Sequence, residues 1–499
     1  MSETEHKHSH RHHHRSLRKA LKDSSFIKHK VLRIRNVFSF ISCVLSIIFL
    51  FSLYKINLLP MKYNLIITFV VIIINVFGIY AINVHRKTWL KVIGWILLII
   101  NMVISVIGSY YLLETNSFFD KSFNRVIDVS TTTYYVVSLK SNNLTKSDIK
   151  GDVSVYTNTY NIDSAFERLS DAFTVKKKEY DDLGLMFNDI LNNNSKFMLI
   201  EASSYDLVFT IDDSLNKDDY SIIYEFNLVN KNIKNESNNT NKFNIFIGGR
   251  DFSNFFDFNA IATVNLDKHT VILTSIPRDY YINIPGTDTK EKLSFMGLYG
   301  ADTNKKALEE LLDIKLDYSI YFDARSVVDM VDYVGGIDYC SEDEYTTTHA
   351  MVVDTYNDST GKKLYVKKGC QHVNGIEALT ISRERKNVYG GDHQRQKNCI
   401  QILTAVMKKL ATPKNALNYS KTLDQFSNLY ETDINRGVFS ALSKDAINNG
   451  VNNWEVKTQS LDGWDNKDVV NFTKRIDWVT YPDQTTIDNC KREIDNLLK

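Results

Sequence analysis

The sequence is poor in proline and cysteine and has no excess of charge of either sign. Its 499 residues include 5 prolines and 5 cysteines, and 60 basic side chains stand against 59 acidic ones, a formal net charge of +1. A nucleic-acid-binding domain concentrates basic residues on one face or segment, so this balance predicts no nucleic-acid partner. The cysteines also lack the close CxxC spacing of a zinc site.

Long apolar runs, in contrast, are concentrated near the N-terminus. They cover residues 37–54, 65–84 and 92–113, and each is close to the roughly 20 residues that a helix needs to cross a bilayer core. A secretory signal has one short apolar stretch before a small-residue cleavage site, which three full-length runs do not match. The sequence therefore predicts three transmembrane helices within residues 36–113, with buried helices of a soluble core as the less favoured alternative.

The cations around these runs predict the orientation in the membrane. Eight lysines and arginines lie between residues 15 and 35 and three in the second loop, but only two in the first loop. The positive-inside rule places the N-terminus in the cytoplasm and the chain beyond Glu114 outside. We expect the basic, histidine-rich tail at residues 1–35 to touch anionic lipid, and metal binding by its histidines is the alternative.

The exterior cysteines allow one disulfide to be predicted. Cys43 lies within the first apolar run, and the other four cysteines lie outside the membrane. An exported domain can keep a disulfide. Cys340 and Cys370 are the preferred pair because both lie beside predicted strands.

The first part of the exterior, residues 114–229, has the pattern of a small α/β accessory domain. Short predicted strands at 133–139 and 196–201 alternate with amphipathic helical stretches at 162–173 and 179–192. Residues 230–242 are rich in Asn, Lys and Ser and break the apolar periodicity, so we predict a linker there.

The region from residue 243 to residue 499 has a different pattern. Nearly continuous apolar runs predict strands buried on both faces of a sheet, and two stretches with helical spacing follow them. Such a pattern predicts a sheet covered by helices on both faces, an α/β/α layering. The strands are predicted at 244–247, 260–264 and 271–276, and the helices at 305–312 and 324–333.

Two acidic residues border the loop between the first two of these strands. Asp251 follows Gly-Gly-Arg at the end of the first strand, and Asp257 opens the second. Mg²⁺ prefers carboxylates together with phosphate oxygens, so this pair is a candidate magnesium site. Two ordinary exposed loop acids are the alternative.

Three arginines follow in positions that suit a phosphate. Arg278 emerges where the strand at 271–276 ends, the edge at which open α/β sheets usually bind ligands. Residues 378–385 are predicted to form a strand that places Leu379, Ile381, Arg383 and Arg385 on one face. That face suits a lipid with a diphosphate head, because guanidinium groups bind phosphate oxygens bidentately. A frayed strand with two solvent-facing arginines is the alternative.

A helix predicted from residue 390 to about residue 410 adds a fourth arginine. Asp392 is its predicted N-cap, and Arg395 lies in the first turn, where free backbone N–H groups favour an anion. Cys399 lies four residues further and shares the helix face of Arg395. The alternative is an ordinary cap followed by a surface arginine.

These motifs, in this order, resemble the catalytic domain of the LytR-CpsA-Psr family of cell-wall glycopolymer transferases. The resemblance covers about residues 243–412, and three membrane helices followed by a small accessory domain also resemble one layout of the family. The matching segments are Asp251 after glycine, Asp257 before residues 259–265, Ser275-Ile-Pro-Arg-Asp279, residues 292–300, Val334-Gly-Gly-Ile-Asp338, residues 367–375, Arg383-Glu-Arg385, and Gly391-Asp-His-Gln-Arg395 with Asn398.

The resemblance implies a phosphotransferase anchored in the membrane of a Gram-positive-type envelope. It would move a glycan phosphate from a polyprenyl pyrophosphate carrier, whose lipid lies in a hydrophobic pocket, to a peptidoglycan sugar hydroxyl. Asp251 and Asp257 would hold Mg²⁺ or Mn²⁺. The implied pyrophosphate ligands are Arg278, Arg383, Arg385 and Arg395, with Asp392 and Cys399 beside them as further substrate-binding residues.

The chain departs from the family pattern at two positions. Phe255 stands where many members have an arginine, and Cys399 stands where a glutamine is common. Arg250 is a candidate replacement for the missing cation, from a different backbone position. Asp279 and Asp392 are the candidates for a general base. Two alternatives keep the ligand: a regulatory protein that senses polyprenyl phosphates, and a membrane pyrophosphatase.

Overall fold

The computed structural model describes eleven segments of the chain, which forms two compact units. The units are Met1–Ser117 and Phe118–Lys499. The described segments are residues 33–83, 87–123, 130–159, 161–212, 214–230, 237–250, 255–300, 302–352, 361–410, 429–450 and 453–499.

The first unit contains the three predicted membrane helices. They are α1 (Arg33–Ile56), α2 (Met61–Asn83) and α3 (Thr88–Phe123), and each is long and apolar enough to cross a membrane. Polar side chains between them bond to one another, as expected where lipid offers no partner. Ser42 Oγ donates to Asn75 Oδ1 at 2.8 Å, and Asn101 Nδ2 donates to Ser46 Oγ at 2.9 Å. The cytoplasmic-tail prediction for residues 1–35 falls almost wholly outside the described residues.

The second unit begins with a five-stranded mixed sheet, here called the accessory region (residues 130–230). Its strand order is β3-β2-β4-β1-β5. The predicted strands and helices are present, except that Glu179 lies in a strand because the helix starts only after the Asp182 cap. The elements are β1 (Ser130–Leu139), β2 (Gly151–Tyr156), α4 (Ile162–Ala172), β3 (Val175–Tyr180), α5 (Leu183–Leu191), β4 (Phe197–Glu201), α6 (Ala202–Ile211) and β5 (Tyr220–Asn230).

Each face of the accessory sheet is covered by apolar side chains. On one face Leu169 of α4 packs against Val153 and Val155. On the other face Phe187 of α5 lies in a cluster that also contains Phe472 from far along the chain. The ring of Tyr156 meets Phe472 edge-on at 5.4 Å between centroids, and its hydroxyl donates to the Phe472 carbonyl. The accessory region therefore packs directly on the rest of the unit.

The predicted linker at residues 230–242 is described only in its second half. Residues 231–236 lie outside the described residues. Ser237 Oγ and Asn239 Nδ2 both donate to Asp317 Oδ1, at 2.9 and 2.8 Å. The end of this segment is thus fixed by Asp317. It is grouped here with the residues that follow as the central region (residues 237–499).

A six-stranded sheet organises the central region. Its order is β16-β11-β6-β7-β8-β17, with β11 parallel to β6 and β17 parallel to β8. The three predicted strands are confirmed as β6, β7 and β8. The elements are β6 (Lys242–Arg250), β7 (Phe256–Asn265), β8 (Thr270–Ile276), β9 (Tyr281–Asn283), β10 (Lys290–Lys292), α7 (Thr303–Leu312), β11 (Tyr318–Asp323), α8 (Ala324–Tyr333), β12 (Ile337–Ser341), β13 (Tyr345–Ala350), β14 (Lys363–Val366), β15 (Gly369–Val373), α9 (Gly375–Arg383), α10 (Gly391–Leu410), β16 (Glu431–Thr432), α11 (Arg436–Asn449), β17 (Glu455–Ser460), β18 (Gly463–Val470), β19 (Arg475–Pro482) and α12 (Gln484–Leu498).

Helices cover both faces of this sheet, as predicted. Side chains alternate between the faces along each strand. Phe246 packs with Leu308 of α7 and Ile487 of α12 on one side, whereas Ile245 packs with Ile400 of α10 on the other. The α/β/α layering is therefore confirmed.

One predicted strand is wrong. Residues 378–385 do not form a strand, because helix α9 occupies Gly375–Arg383. Asn374 caps this helix by accepting from the Glu377 N–H, while the Glu377 carboxylate accepts from the Asn374 N–H. Such a reciprocal capping box starts a helix strongly, and it outweighs the alternating pattern of the residues that follow.

The predicted disulfide is present in a small hairpin. Strands β12 and β15 pair antiparallel, and Cys340 lies directly opposite Cys370 in that register. The two cysteines form a disulfide. Cys43, Cys399 and Cys490 are free thiols.

Candidate functional site

A cavity of about 290 Å³ lies among the ends of β6 and β7 and helices α8, α9 and α10. Most of its wall is apolar, but five arginines and two aspartates also reach it. Its lining residues are Gly249, Arg250, Asp257, Phe258, Arg278, Phe322, Asp323, Ala324, Val327, Met330, Val331, His349, Leu379, Ser382, Arg383, Arg385, Arg395, Cys399, Ile402, Leu403 and Val406.

Arg278 emerges just beyond the end of β8 and pairs with Asp257 near the start of β7. Its Nη1 donates to Asp257 Oδ1, and its Nε lies 3.6 Å from Asp279 Oδ2 and 4.0 Å from Asp392 Oδ1. Burial would lower the pKa of Arg278, but Asp257 and the other two carboxylates raise it above its usual value. Arg278 is therefore a permanent cation on the cavity wall.

Arg395 is buried, and two hydrogen bonds hold its guanidinium group. Its side chain is 5% exposed. Its Nε donates to Asp392 Oδ1 at 2.7 Å, and its Nη1 donates to the backbone oxygen of Asp257 at 2.8 Å. Burial works against its charge, but Asp392 raises the pKa of Arg395 overall. These bonds fix the guanidinium at the cavity.

The predicted role of Asp392 as an N-cap is wrong. Helix α10 begins at Gly391, so Asp392 lies inside the first turn. Its carboxylate accepts from Arg395 Nε and Gln396 Nε2 instead of from backbone N–H groups. Burial would raise the pKa of Asp392, but Arg395 and Arg278 lower it well below its usual value. Asp392 therefore orients arginines, because side chains three and four residues away lie on its face of the helix.

Arg383 and Arg385 reach the cavity although they are not on a strand. Arg383 ends α9, and its Nη1 donates to the Val352 carbonyl at 3.0 Å. Glu384 between them is fully buried and accepts from the backbone N–H groups of Thr348, Lys386 and Asn387. This anchor fixes the turn after the helix, and both flanking arginines line the cavity.

Positive charge predominates around Arg385. The pKa of Arg385 is lowered, chiefly by the nearby cation Arg278 and then by burial. Among the described residues, Arg278 Nε and Arg395 Nη2 have no hydrogen-bond partner. A buried donor without a partner costs about 1–3 kcal/mol. A phosphate group in the cavity would satisfy these donors and offset the repulsion among the cations.

The predicted metal pair is only half described. Asp251 lies outside the described residues. Burial would raise the pKa of Asp257, but Arg278 and Arg395 lower it, so its carboxylate is ionised. Mg²⁺ usually takes one or two protein carboxylates together with phosphate oxygens, and an ionised carboxylate beside a cluster of arginines fits that donor set. Within the described segments no group of three metal-ligating side chains occurs.

The two departures from the family pattern have structural counterparts. Phe255 packs on Phe295 with 4.7 Å between ring centroids. It therefore has an apolar packing role where an arginine would supply a charge. Arg250 does line the cavity, but its Nη2 donates to Glu431 Oε2 at 2.7 Å. The Cys399 thiol donates to the Ser382 carbonyl at 3.4 Å, and burial raises its pKa to about 11. Cys399 is therefore a neutral wall residue.

Both candidate general bases are engaged by cations. Asp392 pairs with Arg395, as described above. Asp279 Oδ1 lies 3.1 Å from Lys292 Nζ, and Asp279 Oδ2 faces Arg278. These contacts favour an orienting role for both carboxylates.

Sequence reasoning missed one wall of the cavity. Val327, Met330 and Val331 of α8 line it, together with His349 from β13. The helical spacing of residues 324–333 predicts α8, but it does not indicate that one face of the helix borders a cavity. His349 carries no local signal in the sequence.

The comparisons with known proteins agree with the motif order. The model of the LytR_cpsA_psr family matches residues 202–493. The polyisoprenyl-teichoic acid–peptidoglycan teichoic acid transferase TagV of Bacillus subtilis (strain 168) is 29% identical over 209 residues, which are 41% of this chain and 51% of TagV. The corresponding transferase TagT of the same strain is 29% identical over 168 residues, 34% of this chain and 50% of TagT.

This chain thus spans about half the length of the curated relatives that it matches. Among solved structures, the crystal structure of Bacillus subtilis TagV aligns with a TM-score of 0.43 at 24% identity, covering 52% of this chain and 98% of TagV. The family match extends over more than half of the chain. The protein therefore belongs to the LytR-CpsA-Psr family.

Proposed function

We propose that this protein transfers a glycopolymer phosphate from a polyprenyl pyrophosphate carrier to a sugar hydroxyl of peptidoglycan. The observation that carries the proposal is the meeting of Arg278, Arg383, Arg385 and Arg395 at one apolar cavity. They come from three separate segments, and two of their buried donors lack a partner among the described residues. The names of TagV and TagT, both teichoic acid transferases acting on peptidoglycan, support the same reaction class.

The chemistry follows from the charge of the cluster. An acceptor hydroxyl attacks the phosphorus that bears the glycan, and the bond from that phosphorus to the bridging oxygen breaks. Lipid phosphate leaves, and the hydroxyl proton is released to solvent or a base. Negative charge grows on the bridging oxygen as the bond breaks, and preplaced guanidinium groups stabilise that charge more in the transition state than in the ground state.

A divalent cation fits beside the arginines. Mg²⁺ or Mn²⁺ held by Asp257, and by Asp251 as the family resemblance implies, would neutralise charge on the diphosphate oxygens. The chain's own part is to keep Asp257 ionised, through Arg278 and Arg395. We expect a chelator to abolish transfer and added Mg²⁺ to restore it.

The apolar wall suits the first part of the polyprenyl chain. Leu379 of α9 and Ile402, Leu403 and Val406 of α10 lie on the same cavity as the arginines. Burying an apolar chain against such side chains is favourable in proportion to the area removed from water. The diphosphate would then be held where the apolar wall meets the cations.

The test is a transfer assay with the full-length protein in nanodiscs, a lipid-linked glycan donor and peptidoglycan fragments. We expect acceptor-dependent product, and we expect Arg385→Ala to reduce kcat/KM by about 10²–10³-fold. Arg492→Ala, at an exposed position of helix α12, is the matched control and should keep full activity.

The other outcomes of this assay identify the competing functions. Equal release of lipid phosphate with and without acceptor would make the protein a pyrophosphatase. Tight donor binding without turnover, in the presence of Mg²⁺, would make it a sensor of polyprenyl phosphates. Either result would contradict the transferase proposal.

A further inference from the structure

Helix α10 separates the arginine cavity from a second cleft. Two sets of its side chains, each spaced four, three and four residues apart, lie on different faces of the helix. The face that lines the arginine cavity carries Arg395, Cys399, Ile402 and Val406. The face that lines the second cleft carries Lys397, Gln401, Thr404 and Lys408.

The second cleft, here called the lysine cleft, has a volume of about 700 Å³. Its opposite wall is formed by β17, which is an edge strand of the six-stranded sheet, and by the end of β8. Strand β12, at the disulfide, forms the third side. The lining residues are Ser275, Asp338, Cys340, Lys397, Ile400, Gln401, Thr404, Ala405, Lys408, Lys409, Thr458, Gln459 and Ser460.

The charge of the lysine cleft is positive. It contains three lysines and one aspartate, Asp338, which already accepts from His372 at 3.0 Å and lies near Lys409. Lys397 and Lys408 are exposed, and within the described segments neither forms a hydrogen bond or an ion pair. Their ammonium groups are therefore available to an anion from outside.

The polar side chains between these lysines are held in place. Gln401 Oε1 accepts from the Cys340 N–H at 3.2 Å, which directs its amide group toward β12. On the other wall, Thr458 and Ser460 line the cleft. Gln459 between them donates to Thr274 Oγ1 at 2.8 Å and to the Cys490 carbonyl at 3.3 Å, so its amide group is directed toward α12. Hydroxyl and amide groups of this kind bind sugar hydroxyls. The cleft thus combines groups for phosphate with groups for sugar.

The lysine cleft begins at the same level of α10 as the proposed reaction centre, but on the other side of the helix. Lys397 follows Arg395 by two residues, which is about 3 Å along the helix axis. Lys408 lies eleven residues beyond Lys397, which is about 16 Å along the helix axis. A chain held at both lysines would run along α10, away from the diphosphate.

We propose that the lysine cleft binds the phosphodiester-linked chain of the donor glycopolymer. This inference rests on the proposed function, because it names the substrate class for the same enzyme. Lysine ammonium groups act as point charges for phosphate, and cations repeated along one helix face match a polymer whose phosphates repeat. Peptidoglycan, whose charges are peptide carboxylates, is the competing occupant.

The first experiment measures binding without chemistry. Full-length protein in neutral-lipid nanodiscs is titrated with water-soluble poly(glycerol phosphate), and the variant is Lys397→Glu with Lys408→Glu. We expect the variant to bind about tenfold more weakly, since each exposed ion pair contributes little alone. We also expect added salt to weaken the wild-type complex. Lys150→Glu with Lys176→Glu, on exposed positions of the accessory region, is the matched control and should bind as the wild type does.

The second experiment compares two donors in the transfer assay. With a polymer donor the cleft variant should show a KM raised about tenfold, whereas a donor with a single sugar unit should react equally well with variant and wild type. Equal binding of poly(glycerol phosphate) by variant and wild type would overturn the inference, as would binding of peptidoglycan fragments at the cleft instead. Failure of the wild type to transfer either donor would overturn the proposed function, while the binding experiment would still decide on the cleft.

Discussion

The accessory region and the central region each bury a charged side chain, but they treat it differently. Asp189 of α5 accepts from Lys178 Nζ at 2.9 Å and from Ser154 Oγ at 3.1 Å, so its carboxylate is satisfied within the region. Arg395 of α10 is buried to a similar extent, yet its Nη2 has no hydrogen-bond partner among the described residues. A satisfied buried charge is accounted for by the fold, whereas a buried donor without a partner at a cavity is a group that a bound ligand would satisfy.

Of the two buried charges compared here, Arg395 should have the larger effect on transfer. Arg395→Lys keeps a positive charge beside Asp392 but removes the free Nη2 donor and the planar fork. We expect kcat/KM to fall by about 10²-fold, while the thermal midpoint changes little. Steady-state kinetics on the folded variant measure this, and activity within threefold of the wild type would show that the Nη2 donor does not bind the substrate.

The next effect, on stability alone, comes from the satisfied charge. Asp189→Ala leaves the Ser154 hydroxyl and the Lys178 ammonium without their acceptor, and we expect it to lower the free energy of unfolding by about 1–3 kcal/mol. The transfer activity of Asp189→Ala, measured at a temperature well below its unfolding midpoint, should equal that of the wild type. Chemical denaturation together with the transfer assay tests both statements, and a large loss of transfer would mean that the accessory region takes part in the reaction.

The satisfied carboxylate of Asp189 should also make stability depend on pH. Burial alone would raise the pKa of Asp189. Hydrogen bonds from Ser195 and Lys178 have the larger effect and lower this pKa from 3.8 to about 2. A carboxyl whose pKa is lower in the folded state stabilises the fold above the unfolded pKa and loses that contribution as the pH falls through the folded pKa. We expect wild-type stability to decrease from about pH 4 toward pH 2 and Asp189→Ala to show less of this decrease. Thermal melts of both proteins across that pH range test this. If the prediction is wrong, the melting temperatures of wild type and variant will fall in parallel as the pH is lowered.

The smallest effect is expected at Cys399. Its thiol is neutral at working pH, because burial raises its pKa to about 11. Cys399→Gln restores the residue that is common in the family and adds an amide donor beside Arg395. We expect kcat/KM to change by less than about fivefold, within the range of one weak hydrogen bond. A rise or fall beyond tenfold would show that the departure changes the chemistry.

Elements with long-range periodicity could be predicted from the sequence. The membrane helices, β6 to β8, and α8 each have an apolar pattern that follows from burial on a defined face. Residues 378–385 were predicted wrongly because the alternation of Leu379, Ile381 and Arg383 was read without the capping box at Asn374 and Glu377, which fixes a helix.

The arginines of the site could be predicted, but their geometry could not. Arg383 and Arg385 both line the cavity. The end of α9 and the buried Glu384 position them, whereas the sequence pattern predicts a strand face. The sequence pattern predicts Asp392 as an N-cap, but helix α10 already begins at Gly391, so Asp392 lies in its first turn. Contacts between distant segments, such as Arg395 with the Asp257 carbonyl, depend on the fold and leave no local pattern.

The most direct measurement concerns what the cavity holds. Full-length protein purified under mild conditions is examined by native mass spectrometry, alongside Arg385→Ala and the control Arg492→Ala. We predict that the wild type and the control retain about one polyprenyl phosphate or pyrophosphate per chain and that Arg385→Ala loses it. Retention of the lipid phosphate by Arg385→Ala at the wild-type level would contradict the central claim that these arginines form its binding site.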